Sequence, residues 1–405
     1  MSDMRKYLSN RLLENREKVL ERVQKSISED NIALAFGAGV SIPAKLPTWA
    51  GLISQMLGYA VQRDLLKSSW WTDDQRESML KTAELLIHGN LKLLSDVNPL
   101  ESAEYVVQYF DEGIFDSSVT DEVREHAIIS MFKKIVDSSL TPDQILKQTI
   151  DENSSSPLKK VREMLDVGMP LTEAIAGLHQ DIAHLNSLFA ASYLMARETN
   201  GIRRAITYNY DPLIQEQLLA LYGLQPDTVI THPGRWNEQK LSNEREVFHV
   251  HGFIPGTRHS ATGFNNVYPI NSGRIILSED SYYVLEREEA YNWSSSIQSY
   301  FLNRYHCLFV GFSAEDFNFR RILRQIGQER ETGRVHYLLL SVNKLAKATE
   351  KAVNESRKSG YDISDEDITL LLEQLLSCRE KYWKRFGIYP IFADRDEIPD
   401  ILCKL

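Results

Sequence analysis

Short, uninterrupted apolar runs punctuate this chain, and between them apolar residues recur at helical spacing. Ile32–Phe36 carries no polar residue, the pattern of a strand buried on both faces. After residue 200 similar runs return at Ala205-Ile206, Val247–Val250, Arg274–Leu277, Cys307–Val310, Val335–Leu340 and Ile388–Phe392. Helical patterns at 211–221, 315–328 and 365–385 separate several of them. Strands alternating with helices predict an α/β fold with a doubly wound, mostly parallel, Rossmann-like sheet.

The remaining pattern is helical. Leu8, Leu12, Val19, Val23 and Ile27 predict a helix over 5–29, and a second helical pattern starts at Trp49 and runs to Val61. Apolar residues recur at helical spacing in 76–96, 102–110, 121–138 and 181–197, with no alternating strand among them. Thr72 and Gln75 are spaced as a capping box. Asp151–Pro157 is a polar loop between helices. Ile182, Leu185, Phe189, Ser192 and Ala196 form the packing stripe of a helix returning to the sheet. The expected organisation is an N-terminal helix (1–30), a Rossmann-like domain (31–61 and 181–405) and a helical insertion (62–180). Residues 255–273, with Pro255, Gly256, Gly263, Pro269 and Gly273, read as a long surface loop beside the site.

Composition narrows the function classes. The 405 residues hold 46 basic and 56 acidic side chains, a formal charge of −10, with 43% hydrophobic residues. That balance makes a poor general platform for nucleic acid, which is bound through phosphate neutralisation. Cys307, Cys378 and Cys403 are too scattered for a disulfide framework or a four-thiolate zinc site. The first residues lead into a charged helical pattern rather than a signal-peptide core, and no run approaches the ~20 apolar residues of a membrane span. A soluble, cytoplasmic protein without a membrane role is the expectation.

Candidate chemistry gathers where strand-like runs end, the edge at which open α/β sheets bind ligands. Gly37-Ala38-Gly39-Val40-Ser41 follows the first run; small residues there let backbone N–H groups approach a phosphate. The third glycine of a dinucleotide fingerprint is missing, so a simple tight turn is the competing reading. Leu46-Pro47-Thr48-Trp49 is a stiff segment able to wall a bound cofactor. Thr207-Tyr208-Asn209-Tyr210-Asp211 places an amide and a carboxylate on one turn, with Tyr208 and Tyr210 expected to point away into the core. Asp211 also reads as the N-cap of a helix whose first residue is Pro212. That role leaves Asn209 unexplained. His251 closes the run from Val247 and suits a base near neutral pH. His249 would share its face in a regular strand; the resulting His-x-His metal pair has no evident companion ligand. Gly311-Phe312-Ser313, with Asp316 and Asn318, opens a helix that Ser313 can cap, or whose start can meet a ribose or phosphate.

Together, these segments resemble the sirtuin-like NAD-consuming domain of bacterial anti-phage defence proteins. The resemblance rests on Gly37–Ser41 with Pro43, Pro47 and Trp49, on Thr207–Asp211, on His251-Gly252, and on Gly311–Ser313 with Asp316 and Asn318. Leu277–Tyr282 and Gly387–Ile391 also look like that branch. The resemblance implies that Asn209 and His251 are the catalytic pair around the nicotinamide ribose, with Asp211 fixing their turn. It implies that Gly37, Ala38, Gly39 and Ser41 hold the pyrophosphate, and that Gly311 and Ser313 lie along the adenosine side. Pro47, Trp49, Thr207, Asp316 and Asn318 complete the NAD-binding set. Two departures stand out. The four-cysteine zinc module that follows the catalytic histidine in deacetylating sirtuins is missing, so neither zinc nor protein deacetylation is expected. Lys45 also stands where this branch would have a small residue.

The expected activity is hydrolysis of NAD at the nicotinamide–ribose bond, giving nicotinamide and ADP-ribose, as an NAD-depleting defence effector. The alternatives are an ADP-ribosyl or acyl-group transferase and a catalytically silent NAD-binding scaffold. The resemblance further implies a homo-oligomer, and in some systems a HerA-like ATPase partner.

Overall fold

The computed structural model describes residues 8–67, 72–87, 103, 106, 121–152, 156–229, 245–254, 256, 275–276, 289–313, 317–328 and 334–405. Seven strands form one sheet: β1 (Ile32–Phe36), β2 (Arg204–Thr207), β3 (Asp227–Val229), β4 (Glu246–His249), β5 (His306–Val310), β6 (His336–Ser341) and β7 (Ile388–Ala393). Their order is β3-β4-β2-β1-β5-β6-β7, and every described pairing is parallel. The fold is a Rossmann-like α/β fold, its sheet wholly rather than mostly parallel among the described residues.

Parallel strands need crossovers, and these cover both faces of the sheet. Alternate residues of β1 therefore enter different cores. Leu34 and Phe36 join the larger core with Val23, Phe132, Phe189 and Leu213, whereas Ala33 and Ala35 join the other with Phe301, Phe309 and Phe319. Burial on both sides is why the strands read as continuous apolar runs.

Several elements differ from expectation. The first helix spans Asn10–Ser28 and is capped by Ser9, whose hydroxyl accepts from the Leu12 N–H. The pattern over 181–197 splits into His179–Ala183 and Ser187–Ala196, because Asn186 caps the second piece through its side chain and the Phe189 N–H. Strand β3 and the helices Glu289–Arg304 and Asn343–Lys358 are additions. Ile275 and Ile276 belong to no strand, while Arg274 and Leu277 lie outside the described residues. So do most of 88–110, nearly all of 255–273 and all of Leu277–Tyr282.

Between β1 and β2 run helices Trp49–Lys67, Asp73–Ile87, Asp121–Asp137, Pro142–Glu152 and Ser156–Asp166. The expected capping box forms: Gln75 N–H meets the Thr72 hydroxyl, and the Gln75 side chain accepts from the Thr72 N–H. Phe132, Ile135, Ile145, Leu146, Leu158 and Val161 pack into the same core as Leu34 and Phe36. Trp49–Lys67 and the last three of these helices share the sheet's own core.

The chain order reverses at β1 and β5, which puts the switch point of the sheet between their C-terminal ends. Phe36 stands level with Thr207 on one side and Val310 on the other. The ladder continues one residue further, with Gly37 N–H donating to Val310 O at 3.1 Å and Tyr208 N–H to Phe36 O at 3.0 Å. Beyond that level the backbones come very close. A Cβ at Gly37 would sit 2.7 Å from Gly311 O, one at Gly39 2.8 Å from Gly311 Cα, and one at Gly311 2.3 Å from Val40 N.

Gly311 also holds φ at +65°, the left-handed region that side chains disfavour. Gly311→Ala should therefore cost about 2–4 kcal/mol of stability. Gly223→Ala has the same kind of φ but open space around its Cβ, and should cost only about 1 kcal/mol. Urea unfolding of the two variants separates clash from backbone strain; equal losses would contradict the close-approach account.

Candidate active site

Residues that follow β1 and β2 converge on one cavity. After Gly37 the chain forms a 3₁₀ helix, Ala38–Ala44, and Ser41 turns inward, buried. The turn after β2 is held by Thr207, whose hydroxyl accepts from the Asn209 N–H at 3.1 Å. Asn209 then crosses to the first loop. Its Nδ2 donates to Gly37 O and to Ser41 Oγ, each at 3.1 Å. Ser41 Oγ in turn donates to Asp211 Oδ2 at 2.9 Å. The bond to a carbonyl fixes which end of the Asn209 amide is nitrogen. Among the described residues Asn209 Oδ1 accepts no hydrogen bond.

Beside this network lies a cavity of about 70 Å³ lined by Ala38, Ser41, Pro47, Trp49, Asn209 and Asp211. Leu46, Leu52, Tyr208 and Tyr210 also line it, and Phe132, Ile135 and Val136 complete the wall. The last three come from helix Asp121–Asp137, in the segment between β1 and β2. Their spacing in sequence reads as ordinary core, so nothing local marks them as site residues. Tyr210 is wedged between Trp49 and Phe132, with ring centroids 6.4 and 5.0 Å away.

The two tyrosines part company instead of sharing a core. Tyr208 packs with Ile206 and Phe319 on one face of the sheet, while Tyr210 joins the core of the other. Tyr208 is also the link to His251, whose ring meets it edge-on at 5.1 Å. His251 is buried and does not line the cavity. Tyr208 stands beside both.

The glycine turn has a different occupation from the one expected. Gly37 N–H binds Val310 O, Gly39 N–H binds Gly311 O at 2.8 Å, and Val40 N–H binds Gly37 O at 3.1 Å. The expectation that backbone N–H groups of this loop approach a phosphate therefore does not extend to the amides of Gly37, Gly39 and Val40, which are committed within the protein. The glycines serve the approach of two backbones. Lys45 ends the 3₁₀ helix at φ +61°, a left-handed position suited to a small residue.

Other predicted site residues lie apart from the cavity. Thr207 is buried in β2 as the brace of its turn, Gly311 packs on the first loop, and Ser313 is exposed. Asp316 lies outside the described residues. Asn318 falls in the helix Phe317–Gln328, with its side chain outside them. The Ser313–Asp316 cap therefore falls outside the description as well. Asp211 does not occupy the cap position assigned to it: Pro212 takes that place, and Asp211 Oδ1 accepts from the Leu213 N–H at 3.1 Å. No His/Cys/Asp/Glu cluster able to hold a metal occurs among the described residues. His249 is instead tied to protein, through Asn209 O at 3.0 Å and Gln215 at 2.7 Å.

Residues 203–364 match the family model of the SIR2-like domain, so this stretch is similar to a sirtuin-like domain. A domain of this kind implies NAD binding and NAD-related activity in general. The matched stretch includes Asn209, Asp211, His251, Gly311 and Ser313; the Gly37–Trp49 loop precedes it. No curated protein matches the chain. Among the described residues, no helix is long and apolar enough to cross a membrane.

Burial shifts two titrations in opposite directions. It pushes the Asp211 carboxyl up to about 6, against the hydrogen bonds from Leu213 and Ser41. It pushes His249 down to about 4, against the bond to Asn209. Folded Asp211 thus holds its proton more tightly than in the unfolded chain, where 3.8 applies. Its stabilising contribution is complete below about pH 4 and lost as pH rises through about 6. Asp211→Asn, which keeps a neutral side chain at every pH, should match the parent's melting temperature near pH 4 and exceed it at pH 7.5. A difference independent of pH would contradict the desolvated carboxyl.

Proposed function

We propose that this chain hydrolyses NAD at the nicotinamide–ribose bond. The observation that carries the reading is the Gly37–Asn209–Ser41–Asp211 network on the cavity wall, within a chain that is similar to a sirtuin-like domain over residues 203–364. The cavity, about 70 Å³, is far below the ~300–1,000 Å³ of typical ligand pockets. It takes a group of a few atoms, and the remainder of a dinucleotide lies outside it, along the C-terminal edge of the sheet.

In this reading the C1′–nitrogen bond breaks and its electron pair neutralises the pyridinium, releasing nicotinamide. Positive charge develops on the ribose, and a water oxygen bonds to C1′. The protein's work is to hold the ribose, orient the water and accommodate the charge. Asn209 Oδ1 accepts from a ribose hydroxyl or from the water, because its Nδ2 is committed to Gly37 and Ser41. Asp211 keeps Ser41 oriented. His251 takes the water proton as attack proceeds and passes it to solvent. For this it must reach the ribose past Tyr208, against whose ring it packs.

The missing four-cysteine module favours water over an acyl-peptide as acceptor. Cys307 is buried in β5, while Cys378 and Cys403 lie in separate helices. We extend the reading to an NAD-depleting anti-phage effector in the cytoplasm. Its restraint would come from self-assembly or from a partner such as a HerA-like ATPase.

Incubation with NAD and chromatography of the products tests the chemistry. The parent should release nicotinamide and ADP-ribose in equal amounts. Asn209→Ala and His251→Ala should each lose at least about 100-fold in rate while remaining folded by circular dichroism. Normal turnover by both variants would overturn the assignment.

A further inference from the structure

His249 lies outside the cavity, yet it touches the residue on which the cavity's polar wall depends. It ends β4, buried at 1% exposure, and its Nδ1 lies 3.0 Å from Asn209 O. A carbonyl only accepts, so Nδ1 carries the proton in this contact. The neutral ring then offers a lone pair at Nε2, and Gln215 Nε2 lies 2.7 Å from it, oriented as a donor. Gln215 is equally buried, in helix Leu213–Tyr222, which begins where the Asn209 turn ends. The three residues close a loop: turn, helix, strand end, and back to the turn.

Neighbouring bonds follow the same path. Val250 N–H donates to Thr207 O at 3.1 Å, and Ile254 N–H to Tyr210 O at 2.8 Å. The last residue of β4 and the segment after it therefore hold the carbonyls of Thr207, Asn209 and Tyr210. For Asn209 the donor is a side chain, since that strand ends at His249 and turns away. Asn209 is thus pinned at its carbonyl by His249 and at its side chain by Gly37 and Ser41.

We infer that His249, locked by Gln215 as the Nδ1–H tautomer, is the positioning residue for Asn209. It touches no substrate and aims the amide that does. Burial, which disfavours the charged ring, acts in the same direction. The kinetic consequence rests on the proposed NAD hydrolysis; the geometric one does not.

Two readouts on the full chain keep those failures apart. The first is nitrogen NMR of ¹⁵N-histidine and ¹⁵N-asparagine protein at pH 7.5, with signals assigned by loss in His249→Asn and Asn209→Asp. The parent should show His249 as the neutral Nδ1–H tautomer and a slowly exchanging Asn209 side-chain amide. His249→Leu should speed that exchange at least about tenfold. His249→Asn, whose amide can replace the Nδ1 donor, should restore it. The second readout is nicotinamide release. His249→Leu should lower kcat at least about tenfold with little change in KM, and His249→Asn should recover most of it. Should His249→Leu fail to fold, Gln215→Leu takes its place, with faster exchange of the Asn209 side-chain amide as the expected result. An Nε2–H tautomer in the parent, or unchanged Asn209 exchange in the Leu variant, overturns the inference. A parent that releases no nicotinamide overturns the proposed reaction and leaves the NMR result to decide His249.

Discussion

The approach of two backbones, Gly37–Gly39 against Gly311, is the constraint on which the rest of this molecule depends. It occurs at the switch point of the sheet, where most doubly wound folds leave a crevice. Here the crevice is filled by main chain, since a Cβ on any of the three glycines would come within 3 Å of another backbone. Closing it fixes the Ala38–Ala44 turn relative to β5. That turn in turn presents Gly37 O and Ser41 Oγ to Asn209.

The site is consequently displaced to the β1–β2 side, and its outer wall comes from a helix far away in sequence. Phe132, Ile135 and Val136 close over Trp49 and Tyr210 to leave a small cavity with one polar wall. A confined, largely apolar space strengthens the electrostatics of the few polar groups that line it. The same burial raises the Asp211 carboxyl and, outside the cavity, disfavours the charged His249 ring. A small, largely apolar site of this kind suits the proposed reaction, in which the positive charge passes from the pyridinium to the ribose as neutral nicotinamide leaves.

Much of the fold was legible because a parallel sheet buried on both faces writes its strands as unbroken apolar runs. Asp227–Val229 escaped because three residues carry no periodicity. Asn343–Lys358 escaped because its few apolar residues, including Leu345, Ala346 and Val353, are diluted by charge. The Asn209–Asp211 turn was legible as a candidate site, since an amide with no capping duty needs another explanation. The glycines were not, because sequence records that a backbone comes close and not what it approaches. The Phe132 wall and the His249–Gln215 brace were equally hidden, for both depend on contacts between distant segments.

The most direct test of the account is to incubate the chain with NAD in ¹⁸O-water and weigh the products by mass spectrometry. Hydrolysis at the nicotinamide–ribose bond predicts unlabelled nicotinamide and ADP-ribose carrying one heavy oxygen from solvent. Intact NAD, or ADP-ribose recovered on protein without solvent oxygen, would contradict it.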